Sequence, residues 1–410
     1  MTLLLLFGGS VPLTFTEKLE LAFGYGPKDA APVFTELLLP SERARLRSCQ
    51  VQRGRSKAFD RFDAGVWTGV ISNPDGYLTP ENTAAPAPYL GNIKPGTPLR
   101  YSVNGVVTFY GYTAGFPQSY PGVKDAVVQL RALDAMSLLN RRKFLTEPGF
   151  VEALIGQRMY DVLVTELGYP AAICDLDDGT VTAEPSASLI GTCPTDHLQA
   201  LALAEGGRFF CAKDGKFTFR DVVGTLTGLA PLAGTFRNQA GSIYFRLASD
   251  TIDHADEDII NEAAITADSG TVLSASDADS VDDYGERDYA QTWPIPDSDA
   301  QLRADHIVYE QKDPRLRIPG LKILHTRCPI EAWSAIDALE IGQRFALYHE
   351  PPAGDPIAPD VIVDGVTIDS SKTEFAVSVQ LTPADMNRYW LIEVDGYDGI
   401  DTTPAQMCLR

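Results

Sequence analysis

Recognisable motifs of catalysis and ligand binding are missing from this sequence. None of the patterns G-x-S-x-G, H-E-x-x-H and G-x-G-x-x-G, nor the phosphate-binding P-loop, occurs in its 410 residues. No two of the five histidines have the H-x-x-x-H spacing of a zinc site, and each is interpreted as a surface residue or a satisfied core residue: His197, His254, His306, His325 and His349. We therefore predict no catalytic, cofactor-binding or metal-binding residue.

Cysteine is sparse and scattered. The six cysteines form no C-x-x-C pair, which excludes the usual zinc spacing and a dense disulfide framework. Most are interpreted as buried thiols. Cys174 and Cys193 are close enough in sequence for a disulfide to close the loop between them, but we expect both thiols to be free.

Basic side chains are also few. The sequence has 34 Lys and Arg against 55 Asp and Glu, a formal net charge of −21. Because a nucleic-acid-binding surface needs clustered Lys and Arg to neutralise phosphates, this balance argues against a specific nucleic-acid partner. Residues 250–299 hold 15 acidic side chains and a single base, Arg287. We interpret this acidic segment as a solvated loop face, since its aspartates lack the spacing of a calcium loop.

Long apolar runs are absent as well. No stretch approaches the ~20 apolar residues that a membrane-spanning helix requires. The short apolar run at residues 3–7 has no preceding Lys or Arg and is followed by Gly8 and Gly9, unlike a secretory signal. We predict a buried first strand there and no membrane span.

What the chain does contain is enough apolar mass for two or three folded domains: 44% hydrophobic residues, 18 Phe and 16 Tyr. The first 145 residues are typical of β structure, with short β-forming runs separated by turn signals. Asn104-Gly105 is the strongest hairpin signal in the chain. We predict a compact β-barrel or sandwich over residues 1–145.

The middle of the chain mixes helices and strands. An apolar stripe from Leu130 to Leu139 predicts a short helix, and a second helix is predicted to end at Gly168. Thr195-Asp196 begins a third helix that ends at Gly206-Gly207, and a hairpin with Asp214-Gly215 at its turn follows. Residues 146–222 therefore form a predicted α/β insertion.

The last third returns to strands, with β-forming runs at residues 339–347, 361–368 and 375–381. We predict a second β domain over residues 223–385, including the acidic segment at 250–299. A tail over residues 386–410 follows, with a short strand at 390–392 and a mobile end. The fold class expected from these patterns is mainly β with an α/β insertion.

Three turn-rich pieces near the start resemble minor tail proteins of siphophages that infect actinobacteria. They are RGR at residues 53–55, NPDGYLTPEN at residues 73–82 and PYLGNIKPGTPLR at residues 88–100. Pro74 and Tyr77 depart slightly from the family pattern. FYGY at residues 109–112 and SYPG at 119–122 match the strand and turn that follow in the family, and weaker likeness extends over residues 45–385.

The resemblance implies the hub of a phage tail tip. Such a hub has two tube-like β-barrel domains per chain with an α/β domain inserted, and three chains imitate the sixfold symmetry of the tail tube. It implies a non-enzymatic virion protein, assembled in the host cytoplasm, that closes the DNA channel until ejection. The implied partners are two further copies, the distal tail protein, the tape measure protein and other tail-tip or fibre proteins. An acidic wall would let DNA slide past without sticking.

Residue roles carry over from the family only for turn-forming glycines. Gly54, Gly76, Gly91, Gly96 and Gly342 are expected to fix backbone geometry in the β domains.

Two alternatives remain at this stage. One is a hexameric distal tail protein, which is also β-rich. The other is a receptor-binding or cell-wall-degrading tail-tip protein, whose catalytic carboxylates would lie in a sugar-binding groove. No motif selects a pair among the 55 carboxylates, so we expect no enzyme.

Overall fold

The computed structural model describes residues 16–384, apart from residues 30, 56–59, 123–124, 186–187, 222–231, 239–242, 248–258, 315–319, 325–327, 329 and 372–373. The predictions for the apolar run at residues 3–7 and for the tail from residue 386 fall outside this part. No helix within it is long and apolar enough to cross a membrane.

The described chain contains twenty-two strands, six α-helices, the π-helix Asp161–Glu166 and two 3-10 helices, Ala171–Ile173 and Ile330–Ala332. The strands are β1 Glu17–Leu21, β2 Thr35–Glu36, β3 Leu46–Gly54, β4 Asp63–Ser72, β5 Pro98–Val103, β6 Val106–Gly115, β7 Gln118–Gly122, β8 Asp125–Leu133, β9 Ala153–Leu154, β10 Cys174–Leu176, β11 Thr182–Ala183, β12 Arg208–Cys211, β13 Phe217–Arg220, β14 Thr235–Arg237, β15 Ile243–Leu247, β16 Glu262–Thr266, β17 Val272–Ser276, β18 Asp288–Thr292, β19 Leu321–Leu324, β20 Arg344–Tyr348, β21 Asp360–Ser371 and β22 Phe375–Pro383. The α-helices are α1 Met136–Asn140, α2 Ile155–Tyr160, α3 Pro194–Glu205, α4 Ala278–Tyr284, α5 Asp297–Gln311 and α6 Trp333–Ala338.

Fourteen of the strands form one sheet. Their order is β2-β1-β5-β6-β8-β4-β3-β21-β20-β14-β15-β19-β22, with β7 paired to β8. Because β22 also pairs with β21, the last six strands close into a barrel. The predicted fold class, mainly β with an α/β part, is confirmed.

The long strand β21 joins the two halves of this sheet. Along one edge it pairs with β20 over residues 360–362 and then with β3 over residues 365–371, while β22 follows its other edge. A register shift between Val363 and Gly365 marks the change of partner. Strand β21 therefore belongs both to the closed barrel and to the sheet of the first half.

The first half of the sheet curves back toward β21. Glu17 in β1 accepts hydrogen bonds from Ser370 Oγ in β21 and from the Tyr101 hydroxyl, both at 2.5 Å. A single apolar core fills the space inside both halves, from Trp67 and Tyr101 in the first to Phe236 and Phe345 in the closed barrel. The two β halves are thus continuous in sheet and in core.

A second core lies in an α/β layer, which consists of residues 135–220 and 259–311. Helices α1, α2, α3 and α5 and strands β12, β13 and β16 pack their apolar side chains into it. The prediction that the acidic segment is a loop is wrong for its described part. Residues 262–292 form the three-stranded sheet β17-β16-β18, and α5 packs on that sheet.

Several local predictions are confirmed. Asn104 and Gly105 have φ of 50° and 82° and form the turn between β5 and β6. Gly206, with φ of 78°, ends α3, and Gly168, with φ of 68°, follows the π-helix Asp161–Glu166 that continues α2. Two predictions are wrong in detail: Leu130 and Leu133 lie in β8 rather than on a helix, and of residues 339–347 only Arg344 onward is strand. Arg344 follows a turn at Gly342, whose φ is 84°.

Candidate functional site

The point where β21 changes partner holds a cluster of buried charged side chains. We call it the β21 junction, and it consists of Gly54, Arg55, Arg208, Asp364 and Gly365. Gly54 lies opposite Gly365 in the β3–β21 register, and Asp364 sits at the register shift. The junction therefore gathers residues from the first half of the sheet, the α/β layer and the closed barrel.

Asp364 binds one arginine from each neighbouring part of the molecule. Arg208 Nε of β12 donates to its Oδ1 at 2.9 Å, and Arg55 Nη2 donates to its Oδ2 at 3.3 Å. Thr382 Oγ1 of β22 also donates to Oδ2. Burial disfavours the charged carboxylate, but Arg208 and Arg55 outweigh that effect and hold the pKa of Asp364 below its usual value.

All three charged side chains of this cluster are at most 7% exposed. A buried ion pair of this kind adds little net stability, yet removing one partner leaves an uncompensated charge. The cluster therefore fixes how the three parts meet.

A second bridge runs beside the junction. Arg53 of β3 donates to the carboxylate of Glu340, which precedes β20. The same carboxylate accepts from the Lys213 backbone N–H at 2.9 Å, and Lys213 Nζ donates to the carbonyl oxygen of Asp337 at 2.9 Å. The β12–β13 turn of the α/β layer is therefore hydrogen-bonded to the closed barrel.

Asp134 lies where β8 leads into α1. Its Oδ2 accepts from the Gly65 N–H of β4 at 2.6 Å, and its Oδ1 accepts from the Met136 N–H at 3.0 Å. Burial raises the pKa of Asp134 to about 7, although these backbone donors favour the charged form. This carboxyl group therefore titrates near neutral pH.

A polar row crosses the sheet from the first half onto β21. Arg131, Thr68, Gln50 and Asp369 are neighbours in register on β8, β4, β3 and β21. Gln50 Nε2 donates to Asp369 Oδ1 at 2.7 Å. An open groove of about 590 Å³ follows this row. Its lining mixes these polar side chains with the apolar residues Val70 and Leu130.

All five glycines predicted to fix backbone geometry have positive φ: Gly54 at 102°, Gly76 at 69°, Gly91 at 70°, Gly96 at 84° and Gly342 at 84°. That prediction is confirmed. Gly54 also has a packing reason, because a Cβ there would stand 2.1 Å from the Asp364 carbonyl oxygen and 2.4 Å from Gly365 Cα.

Sequence reasoning missed the charged residues of the junction. More than 150 residues of sequence separate Arg55 from Arg208, and again Arg208 from Asp364. The only local signal was the RGR segment at residues 53–55. In the described ranges no three His, Cys, Asp or Glu side chains lie together as metal ligands. Cys174 and Cys193 are both free thiols.

Solved structures of phage tail proteins share this fold. The 43 kDa tail protein of prophage MuSo2 from Shewanella oneidensis is 13% identical, with a TM-score of 0.55, and the match covers 90% of this chain and 98% of that protein. A tail protein from Neisseria meningitidis MC58 is 10% identical, with a TM-score of 0.56, and the match covers 90% and 96% of the two chains.

No protein-family model and no curated protein sequence matches the chain. At these identities the likeness concerns the fold, and it extends over nearly the whole length of both tail proteins. The chain thus has the fold of phage tail proteins.

Proposed function

We propose that this protein is a structural component of a phage tail tip: a trimeric hub that joins the sixfold tail tube and distal ring to a threefold tip. The observation that carries the proposal is the sheet that passes without a break from the first β half into a closed six-stranded barrel. Two β units in one chain let three copies present six similar units to a sixfold neighbour.

The rigid link between the two β units supports this role. Units that stand for separate subunits of a sixfold ring must keep a fixed relative orientation. The β3–β21 pairing and the ion pairs of Asp364 supply that constraint. In this proposal the chain is divided into two hub domains at residues 1–145 and 223–385, an α/β insertion at 146–222 and a tail at 386–410. Residues 259–311 of the second hub domain pack into the α/β layer with the insertion.

The proposed partners follow from the hub role. They are two further copies of the chain, the distal tail protein, the tape measure protein and tip or fibre proteins. The protein would act in the virion tail tip after assembly in the host cytoplasm, and it would close the DNA channel until ejection. The net charge of −21 supports a channel wall that DNA does not adhere to.

Imaging of the tail tip in intact virions tests the proposal. Threefold and sixfold averages of the ring that contains this chain are compared. Three copies, each contributing two β units to a ring of six, support the hub. Six equivalent copies identify a distal tail protein instead, and that result removes the adaptor role.

A purely structural role also predicts no catalysis. Purified protein incubated with host peptidoglycan should release no soluble fragments, whereas a tail lysin assayed in parallel should release them. Turnover by this chain would identify a cell-wall-degrading tip protein.

A further inference from the structure

The α/β layer has two surfaces of opposite charge. One carries the only three consecutive basic residues of the sequence beside exposed apolar side chains. We call it the basic-apolar end, and it consists of Arg141, Arg142, Lys143, Leu145, Val151 and Ile190. The other is called the acidic end, and it consists of Asp279, Asp282, Asp283, Glu286 and Asp288, all exposed.

Hydrogen bonds and ring contacts bring the basic-apolar end together. The Gly191 N–H donates to the Phe144 carbonyl oxygen at 2.8 Å, so the chain around Leu145 runs beside the chain around Ile190. The Phe144 ring contacts the Phe150 ring, with centroids 6.3 Å apart, and this contact holds the segment that leads into Val151 at the same end.

The two ends lie at opposite ends of the strands in the three-stranded sheet. Arg158 Nη2 donates to the carbonyl oxygens of Val151 at 2.5 Å and Glu184 at 2.9 Å. The Glu184 N–H donates to the Pro294 carbonyl oxygen at 2.9 Å, just past the C-terminal end of β18. The acidic end lies where parallel strands β16 and β18 begin, and Glu262 pairs there with Asp288. Five residues of strand separate the ends by roughly 16 Å.

Each end keeps a net charge of its own sign, although Glu147 and Glu152 lie exposed beside the basic residues and Arg287 stands between Glu286 and Asp288. Among the described residues Arg141 and Lys143 make no ion pair, and Leu145, Val151 and Ile190 are 86%, 71% and 60% exposed. At the acidic end the carboxylates crowd one another: a hydrogen bond with Asp288 raises the pKa of the half-buried Glu262. The net charges of the two ends are therefore opposite in sign.

We propose that the basic-apolar end of one copy docks onto the acidic end of the α/β layer in the next copy. Such a contact joins two different surfaces head to tail, and repetition of it around an axis closes a ring. This inference rests on the proposed function, in which copies of the chain stand around the tail axis. Opposite charge steers the encounter, and burial of the three aliphatic side chains stabilises the contact.

Charge reversal at each end tests the docking. The first variant carries Arg141→Glu, Arg142→Glu and Lys143→Glu, the second carries Asp279→Lys, Asp282→Lys and Asp283→Lys, and the third combines all six changes. The control is Glu81→Lys with Lys94→Glu, two exposed residues of the first β half. Self-association is measured by sedimentation velocity at low and high salt, and circular dichroism verifies that each variant is folded.

Each single-end variant should associate at least about tenfold more weakly than the wild type, and more salt should weaken the wild type. The six-residue variant should regain association, because its ends are again opposite in charge. The control should behave as the wild type. Loss of association in both single-end variants and recovery in the combined one support the docking.

Other outcomes separate this inference from the proposed function. If the single-end variants associate as the wild type does, the docking is wrong while a ring built on other surfaces stands. If the basic reversal instead abolishes binding to phosphatidylglycerol vesicles and leaves association unchanged, the surface binds lipid and the docking is again overturned. A wild type that stays monomeric, in solution and in virions alike, overturns both.

Discussion

Asp364 is the residue on which three parts of the molecule converge. Its replacement by Asn would leave the buried guanidinium groups of Arg55 and Arg208 without a counter-charge. We expect Asp364→Asn to lower the free energy of unfolding by about 3–5 kcal/mol, measured by urea denaturation. The matched control is Asp125→Asn, which removes a surface ion pair with Arg47 and should cause a far smaller change. Equal effects of the two substitutions would contradict the role of the junction.

The raised pKa of Asp134 should make its contribution to the free energy of unfolding fall as the pH rises, which is opposite in sign to the contribution of most carboxylates. Its pKa of about 7 in the folded chain lies above the ~3.9 of an unfolded aspartate, so the folded state binds the proton more tightly. Its contribution to stability is therefore fully present below about pH 4 and is lost as the pH rises through about 7. The loss approaches ~1.4 kcal/mol per pH unit within that window.

Comparison with Asp134→Asn isolates this effect. The free energy of unfolding of the wild type, minus that of Asp134→Asn, should fall between pH 5 and pH 7. Because the pKa of Asp364 is lowered, its contribution to stability is lost as the pH falls rather than as it rises. That loss occurs only at pH values below the ordinary range of aspartate. Parallel stability curves for the two proteins would show that Asp134 does not titrate in this range.

At the scale of elements, the pairing of β3 with β21 depends on Gly54. A side chain there meets the backbone of β21 and also requires a positive φ. Gly54→Ala should therefore destabilise the protein by several kcal/mol and expose the amides of β3 and β21 to hydrogen exchange. Gly91→Ala is the matched control, because Gly91 also has positive φ but nothing lies within 4 Å of its Cβ position. A Gly54→Ala protein no less stable than Gly91→Ala would refute this account.

Elements specified by short stretches of sequence could be predicted from them. The Asn104-Gly105 turn, the helix that ends at Gly206 and the β12–β13 hairpin each depend on residues that are close in the chain. The acidic segment was misjudged because Ala, Ser and Thr occupy its strands and give a weak alternation of apolar and polar positions. The β21 junction was beyond prediction, since Arg208 and Asp364 separately have the sequence character of surface charges.

At the scale of the whole molecule, a single core extends through both β halves. Phe345, fully buried and stacked on Phe236 at 4.5 Å, belongs to the same core as Trp67 and Tyr101. Phe345→Ala should lower stability by about 3–5 kcal/mol and reduce hydrogen-exchange protection in β4 and β5 as much as in β20. Tyr120→Ala, at a side chain 68% exposed, should leave protection unchanged. Undiminished protection of β4 and β5 in Phe345→Ala would mean that the halves unfold independently.

The partner of β3 lies far away along the chain, which affects how the protein is made. Strand β3 ends at Gly54, whereas β21 ends at Ser371. At a synthesis rate of ~5–20 residues per second, roughly 15–60 s separate the emergence of the two strands from the ribosome. Throughout that interval the edge of β3 has no β21 to pair with, and an open strand edge invites pairing with other nascent chains. Crowding of ribosomes on one message should therefore favour misassembly, and slower initiation of translation should raise the yield of correctly folded protein.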